Sequence, residues 1–265
     1  MRGGEYFLAR TLCQVCQVQH AMRLTLATDD TGEPEIFASL QGEGPSQGLP
    51  CAFIRLSRCN LACHWCDTAY TWRFDGDERP HRTGVTHDRQ ANQVSLSVLE
   101  AARLIDRFEP RRLVVTGGEP LLQGAALSEL ARLLPEHAIE VETNGTVEPH
   151  ARFDPFVEQY NVSPKLSHSG NPATLALLPP RLREWAADPR AFFKFVVAEP
   201  ADVDEVLFLQ RAHGFSSDKV FLMPEGTDSS TLRARLEWLV PLAATHGFRV
   251  SDRLHIHLYG DTRGT

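Results

Sequence analysis

Leu113-Val114-Val115-Thr116-Gly117-Gly118-Glu119 is an apolar run that breaks abruptly into a polar, glycine-rich cluster. β-Branched and apolar residues over a few positions read as a buried strand, and the glycines end it. The same junction recurs along the chain. Ile139–Val141 runs into Glu142-Thr143-Asn144-Gly145, Tyr160–Val162 into Ser163-Pro164-Lys165, and Val220–Met223 into Pro224-Glu225-Gly226. Ala52–Leu56 leads into a cysteine-rich loop, and Arg23–Ala27, Phe192–Val197 and Leu254–Leu258 complete the strand-like runs.

Helical patterns fall between several of these runs. Ser95 and Ser97 offer N-caps to a stretch with Val98, Ala102, Ile105 and Phe108 on one face. Leu127, Leu130 and Leu134 mark a second helix, and Val203, Val206, Leu207 and Gln210 a third that ends at Gly214. A fourth starts at Asp228-Ser229-Ser230, carries Leu232, Leu236, Leu239 and Leu242, is expected to kink at Pro241, and stops at Gly247. Strand and helix in alternation predict an α/β fold of parallel strands joined by crossovers. In such folds ligands gather at the carboxyl ends of the strands. The four polar clusters all stand there, so one rim is expected to hold the site.

The chain has 265 residues, 42% of them apolar and 23% charged, with a net charge of −7. That balance is ordinary for a globular protein of one domain. The acidic surplus argues against a nucleic-acid footprint, which needs a basic face. No apolar run approaches the ~20 residues that span a bilayer, so no membrane partner is expected. Residues 1–21 differ in character from the rest and are read as an extension before a single domain at 22–265. Their Cys13 and Cys16 have metal-like or redox-like spacing with no second pair nearby, and a non-functional tail is the plainer reading.

Of the six cysteines, four lie between Cys51 and Cys66. Clustered thiols without a secretory signal point to a reducing, cytoplasmic setting and to metal or redox chemistry rather than disulfides. The segment Arg58-Cys59-Asn60-Leu61-Ala62-Cys63-His64-Trp65-Cys66-Asp67-Thr68 spaces three of them as C-x3-C-x2-C. Three thiolates this close can hold three corners of a cubane [4Fe–4S] cluster and leave the fourth iron open. Structural zinc is the alternative, but it asks for four closed ligands, and His64 is badly placed beside Cys63 to supply one.

With the aromatic residue before its last cysteine and the following Gly117-Gly118-Glu119-Pro120, this loop resembles the radical S-adenosylmethionine (SAM) superfamily. The resemblance implies an incomplete, TIM-like parallel β/α barrel. It implies that Cys59, Cys63 and Cys66 ligate the cluster, that SAM chelates the open iron, and that its reductive cleavage yields a 5′-deoxyadenosyl radical. Trp65 would lie against the adenine, and the Gly117-Gly118-Glu119 backbone would approach the methionine amino group. Glycine permits that approach and a carboxylate suits an ammonium, although Glu119 also reads as a plain strand-end charge.

Further motifs are similar to the 7-carboxy-7-deazaguanine synthase family: the stretch from Glu35 to Gly44, Arg55, Cys66-Asp67-Thr68, Glu142-Thr143-Asn144-Gly145 and Ser163-Pro164-Lys165. That family converts 6-carboxy-5,6,7,8-tetrahydropterin to 7-carboxy-7-deazaguanine, with loss of ammonia, on the route to queuosine and other 7-deazapurines. By this resemblance Leu40, Gln41, Gly42, Glu43, Arg55 and Thr116 would contact the pterin, Arg55 by forking onto its carboxylate. SAM would be held by Gly118, Glu142, Asn144, Ser163, Pro164, Lys165 and the turn Met223, Pro224, Glu225 and Gly226. Thr68 would supply one oxygen to Mg²⁺, an ion that keeps most of its waters. His257 would meet substrate from the C-terminus, or else face outward from a strand. A homodimer and an electron donor such as flavodoxin or ferredoxin are also implied. The segment Gly76–Gln93 reads as solvated surface or a lid. Two other readings share parts of the pattern: an activase that installs a glycyl radical on a partner enzyme, and a non-catalytic zinc-stabilised binding module.

Overall fold

A computed structural model describes residues 22–265; the extension with Cys13 and Cys16 lies outside the described residues. Ten strands form one sheet: β1 Arg23–Ala27, β2 Ile36–Leu40, β3 Pro50–Leu56, β4 Gln93–Ser97, β5 Arg112–Gly117, β6 Ala138–Thr143, β7 Val157–Val162, β8 Ala191–Val197, β9 Val220–Pro224 and β10 Arg249–Val250. Their order is β10-β9-β8-β7-β6-β5-β3-β1-β4, with β2 also on β3. From β3 to β10 every neighbouring pair is parallel, whereas β1, β2 and β4 join antiparallel. The two ends of the sheet share no ladder, so the barrel is open.

Eight helices accompany the sheet in the described residues: α1 Arg89–Asn92, α2 Val98–Ile105, α3 Gly124–Leu133, α4 Ala173–Ala176, α5 Pro179–Ala187, α6 Pro200–His213, α7 Ser229–His246 and α8 Leu254–Tyr259. Local chemistry sets their ends. Ser97 and Glu100 form a reciprocal capping box on α2, and Asp228 accepts from Thr231 N at 2.9 Å to start α7. Gly214 and Gly247 close α6 and α7 in the left-handed conformation. The helix α7 runs on through Pro241 to His246.

Strand periodicity divides the sheet chemically. Ile54, Leu56, Leu113, Val115, Ile139, Val141, Tyr160, Val162, Phe193, Phe195, Val220 and Leu222 join the core under the helices. Alternate residues take the opposite face, because successive strand side chains point to opposite sides. There stand Arg55, Thr116, Glu140, Glu142, Asn161 and Lys194, inside the open barrel. A layer of Phe37, Cys51, Phe53 and Val114 closes the interior below the polar residues, with Phe37 and Phe53 stacked at 5.0 Å.

Three expectations need correction. Leu254–Leu258 is not a strand but lies within helix α8, because the preceding Ser251–Arg253 turn bonds into the barrel and swings the chain away from the sheet edge. Ser95 is not a cap; it lies in strand β4, paired with Thr25. The segment Gly76–Gln93 is exposed in part but pinned down. The buried Arg73 guanidinium bonds the carbonyls of Arg79, Gly84 and Val85, and His81 Nε2 meets Cys66 O at 2.8 Å.

Candidate active site

The cysteine loop leaves the end of β3 and is strapped to the glycine turn after β5. Gly118 N donates to Leu56 O at 3.0 Å and Glu119 N to Arg58 O at 2.9 Å. A Cβ on Gly117 would overlap the Leu56 backbone, and one on Gly118 would overlap the Arg58 carbonyl and crowd Cys59. Only glycine allows so close an approach. Cys59, Cys63 and Cys66 are all unbridged and all line one cavity of about 490 Å³. Burial pushes their thiols up, Cys59 to about 12 and Cys66 to about 11, so a cationic centre is needed to hold them as thiolates.

Each sulfur accepts an N–H. Leu61 N lies 3.5 Å from Cys59 Sγ, Asn171 Nδ2 3.3 Å from Cys63 Sγ and Trp72 Nε1 3.4 Å from Cys66 Sγ. Among the described residues no three His, Cys, Asp or Glu side chains converge tightly enough to hold one ion. A structural zinc takes four protein ligands, whereas a [4Fe–4S] cluster takes one cysteine sulfur on each of three irons and leaves the fourth open. Three thiols, Cys63 buried and Cys59 and Cys66 half-buried, each met by an N–H donor and all lining one cavity, fit the cluster.

Behind the loop, Glu119 is fully buried. Its carboxylate accepts from Leu121 N at 3.0 Å, Asn144 N at 2.7 Å and the Thr143 hydroxyl at 2.9 Å. Burial raises it to about 7, and the Asn144, Leu121 and Thr143 donors hold it from rising further. It does not line the cavity; it braces the turn after β6 from beneath, while Gly117 and Gly118 of the same stretch line the cavity.

The barrel floor is a network of charges. Gln41 Nε2 bonds Glu140 at 2.8 Å and Glu142 at 3.3 Å, and Thr116 Oγ1 donates to Glu142 at 2.8 Å. Lys194 bonds Glu43 and stands 3.9 Å from Glu142. Arg253 bonds Glu43 at 2.9 Å, Asp67, and the Gly226 carbonyl at 2.6 Å. Burial alone would raise the Glu43 carboxyl, but Lys194 and Arg253 hold it well below the usual carboxylate range. Arg55 pairs with Glu35 at 2.7 Å, and Tyr70 donates to the same carboxylate at 2.9 Å. Glu35 thus presets the guanidinium that the sequence offered to a substrate carboxylate.

The remaining residues singled out from sequence divide by position. Leu40, Gln41, Gly42, Glu43, Arg55, Trp65, Thr68, Thr116, Gly118, Glu142, Asn144, Ser163, Lys165 and Met223 line the cavity. Lys165 Nζ is held by Ser163 at 2.7 Å and sits 5.8 Å over the Trp65 ring, which stacks on His168. Pro224, Glu225 and Gly226 line a small annex that shares Trp65, Asp67 and Arg253 with the main cavity. Pro164 and His257 line neither. His257 bonds Ser229 at 3.0 Å and Asp252 at 3.0 Å instead, because α8 turns it outward. Its neighbour His255 lines the cavity, packed so closely on Gly42 that a Cβ there would overlap its ring.

Sequence reading missed Glu35 as a partner, and Glu140, Asn161, Lys194, Arg253 and His255 altogether. For Glu140, Asn161 and Lys194 a signal existed: each is a polar residue within an apolar strand run, at the parity that faces away from the helices. For Arg253 and His255 there was none: His255 lies in the run Leu254–Leu258 that reads as a strand, and Arg253 just before it, with no motif to mark either.

Residues 53–160 match the model of the radical SAM superfamily. The solved QueE from Escherichia coli superposes with a TM-score of 0.63 at 27% identity, covering 91% of this chain and 98% of that one. Open parallel barrel, three-thiol loop and glycine turn therefore define a radical SAM enzyme. A 7-carboxy-7-deazaguanine synthase of Pyrobaculum aerophilum is 40% identical over 87% of this chain and 95% of its own length. One of Hyperthermus butylicus is 35% identical over 84% and 90%. The chain belongs to the 7-carboxy-7-deazaguanine synthase family, which is a family of radical SAM lyases. Its cofactors are a [4Fe–4S] cluster, SAM and Mg²⁺. Among the described residues no helix is long and apolar enough to cross a membrane.

Proposed function

We propose that this protein converts 6-carboxy-5,6,7,8-tetrahydropterin to 7-carboxy-7-deazaguanine with release of ammonia, and that residues 22–265 form a single radical SAM core domain. The observation that carries the reading is a single cavity with three thiols on its rim and a preset Arg55–Glu35 pair below them. Family membership sets aside the glycyl-radical activase and the zinc module.

When bound, the cluster supplies the electron that cleaves SAM and so generates the hydrogen-abstracting radical. The protein's own work is binding, orientation and exclusion of water. Cys59, Cys63 and Cys66 each give one sulfur. The bare backbone at Gly118, with Glu142, Asn144, Ser163, Pro164 and Lys165, holds the methionine and ribose parts, braced by Glu119. Trp65 and Met223, Pro224, Glu225 and Gly226 enclose the adenine.

Below, Arg55 takes the substrate carboxylate in a bidentate pair. Leu40, Gln41, Gly42, Glu43 and Thr116 surround the pterin ring. Lys194 and Arg253 keep Glu43 ionised beside it, and His255 takes the place in the wall that sequence assigned to His257. Thr68 offers one hydroxyl to Mg²⁺, with water and substrate oxygens completing the shell. A homodimer, a flavodoxin or ferredoxin as electron donor, and a cytoplasmic setting complete the proposal.

The test is anaerobic reconstitution with iron and sulfide, then incubation with SAM, dithionite, Mg²⁺ and the carboxylated pterin. Mass spectrometry should find 7-carboxy-7-deazaguanine. A loaded protein that cleaves SAM but leaves the pterin intact would refute the substrate assignment.

A further inference from the structure

We propose that the side-chain N–H groups of Trp72 and Asn171 tune the reduction potential of the cluster, each through a hydrogen bond to a different ligand sulfur. This rests on the reading that Cys63 and Cys66 are cluster ligands.

Neither donor belongs to the cysteine motif. Trp72 follows the short 3-10 turn Ala69–Thr71, and Asn171 lies beyond β7, 108 residues from the cysteine it meets. Their nitrogens stand 3.4 Å from Cys66 Sγ and 3.3 Å from Cys63 Sγ. Both are fastened to the loop they serve. Trp72 is only 5% exposed and meets His81 edge-on, while His81 itself bonds the Cys66 carbonyl at 2.8 Å. Asn171 accepts from Ala62 N at 2.9 Å through its oxygen, which leaves its amide nitrogen aimed at Cys63. Cys59 is served differently, by the Leu61 backbone and by Asn144 at a longer 3.9 Å.

The physics follows from charge. Reduction adds one electron to the cluster, and part of that charge resides on the cysteine sulfurs. An N–H dipole aimed at sulfur stabilises the reduced state more than the oxidised one, which raises the potential. The indole N–H can only donate, and inside the protein its dipole is weakly screened. Trp72 and Asn171 are therefore positioning residues that make the cluster easier to reduce.

Trp72→Phe keeps the ring in place and removes the N–H; Asn171→Ala removes the second donor at an independent site. Full-length wild type and both variants are reconstituted anaerobically and analysed for iron and sulfide. Each is then titrated with a redox dye set under electron paramagnetic resonance, without SAM or substrate. Each loaded variant should show about a tenfold lower equilibrium constant for one-electron reduction, a potential about 59 mV more negative. Loaded variants with the wild-type potential, or a more positive one, overturn the proposal. If Trp72→Phe takes up no iron, Asn171→Ala decides alone. A wild-type chain that binds no cluster instead removes the reading beneath, and this inference with it.

Discussion

Glu43 and Arg253, separated by 210 positions in the chain, meet at 2.9 Å inside the barrel. The same guanidinium bonds Asp67 in the cysteine loop and the Gly226 carbonyl beyond β9. One side chain thereby joins Glu43 after β2, the loop after Cys66 and the annex beyond β9. Planar, multiply donating arginine suits this junction; lysine does not.

Arg253→Ala leaves Glu43 and the partly exposed Asp67 with less compensation; loss of one partner from a fully buried pair costs about 3–5 kcal/mol, and water reaching Asp67 lowers that figure. Lys194 still faces Glu43, so the lower part of that range is expected. Urea unfolding of the metal-free protein measures it. Arg253→Lys should recover part of the stability but not the fork to both Asp67 and Gly226.

Arg55→Lys retains charge beside Glu35 and loses the bidentate geometry. The KM for the carboxylated pterin is expected to rise about tenfold, as loss of about 1.4 kcal/mol of binding requires. Iron content and the SAM cleavage rate without pterin should stay at wild-type values. Lost iron would mean that Arg55 supports the fold rather than the substrate.

Cys63→Ala removes one of three sulfurs, and the variant should reconstitute with little iron and no cluster absorbance. Its metal-free stability should change by about 1 kcal/mol, since the thiol packs as a small apolar group. Wild-type iron incorporation in this variant would overturn the ligand assignment.

Glu119 gives a pH signature with a definite sign. Its folded value of about 7 exceeds the ordinary 4.5 because burial disfavours the ion. Its stabilising share is therefore complete below about pH 4.5 and shrinks as pH rises towards 7, where the unfolded chain has already released the proton. That difference corresponds to about 3 kcal/mol. Stability curves of the metal-free wild type and Glu119→Gln between pH 4 and 8 should diverge accordingly, with the variant lacking this slope; parallel curves would contradict the shift.

Thr68→Val is nearly isosteric and deletes only the hydroxyl, which lies 3.6 Å from Cys66 Sγ. The Mg²⁺ concentration for half-maximal turnover should rise about tenfold, with cluster content unchanged. An unaltered magnesium titration would remove Thr68 from the ion's shell.

The architecture was legible wherever its cause was local. Strand ends at Thr116, Glu142, Ser163 and Met223 were marked by apolar runs breaking into polar clusters, and the caps at Ser97, Asp228, Gly214 and Gly247 by short-range chemistry. The segment around Leu254 misled because alternation over five residues fits a strand and a short helix equally. What decided it was the Ser251 hydroxyl accepting from Gly44 N and Arg253 reaching into the barrel, both long-range contacts.

By itself, then, the chain's order of residues determined the alternating strands and helices, the rim on which function gathers, and the three-thiol spacing that marks its chemistry. These depend on neighbours within a few positions, through periodicity, capping and the reach of a short loop. Only tertiary structure decided that Glu35 would preset Arg55, that Lys194 and Arg253 would keep Glu43 charged, that His255 and not His257 would face the cavity, and that Trp72 and Asn171 would meet the sulfurs of Cys66 and Cys63. Such pairings depend on which face of each strand turns inward and on how distant turns close over one another, and pairwise charge and hydrogen-bond energies take effect only once the fold has brought those groups into contact.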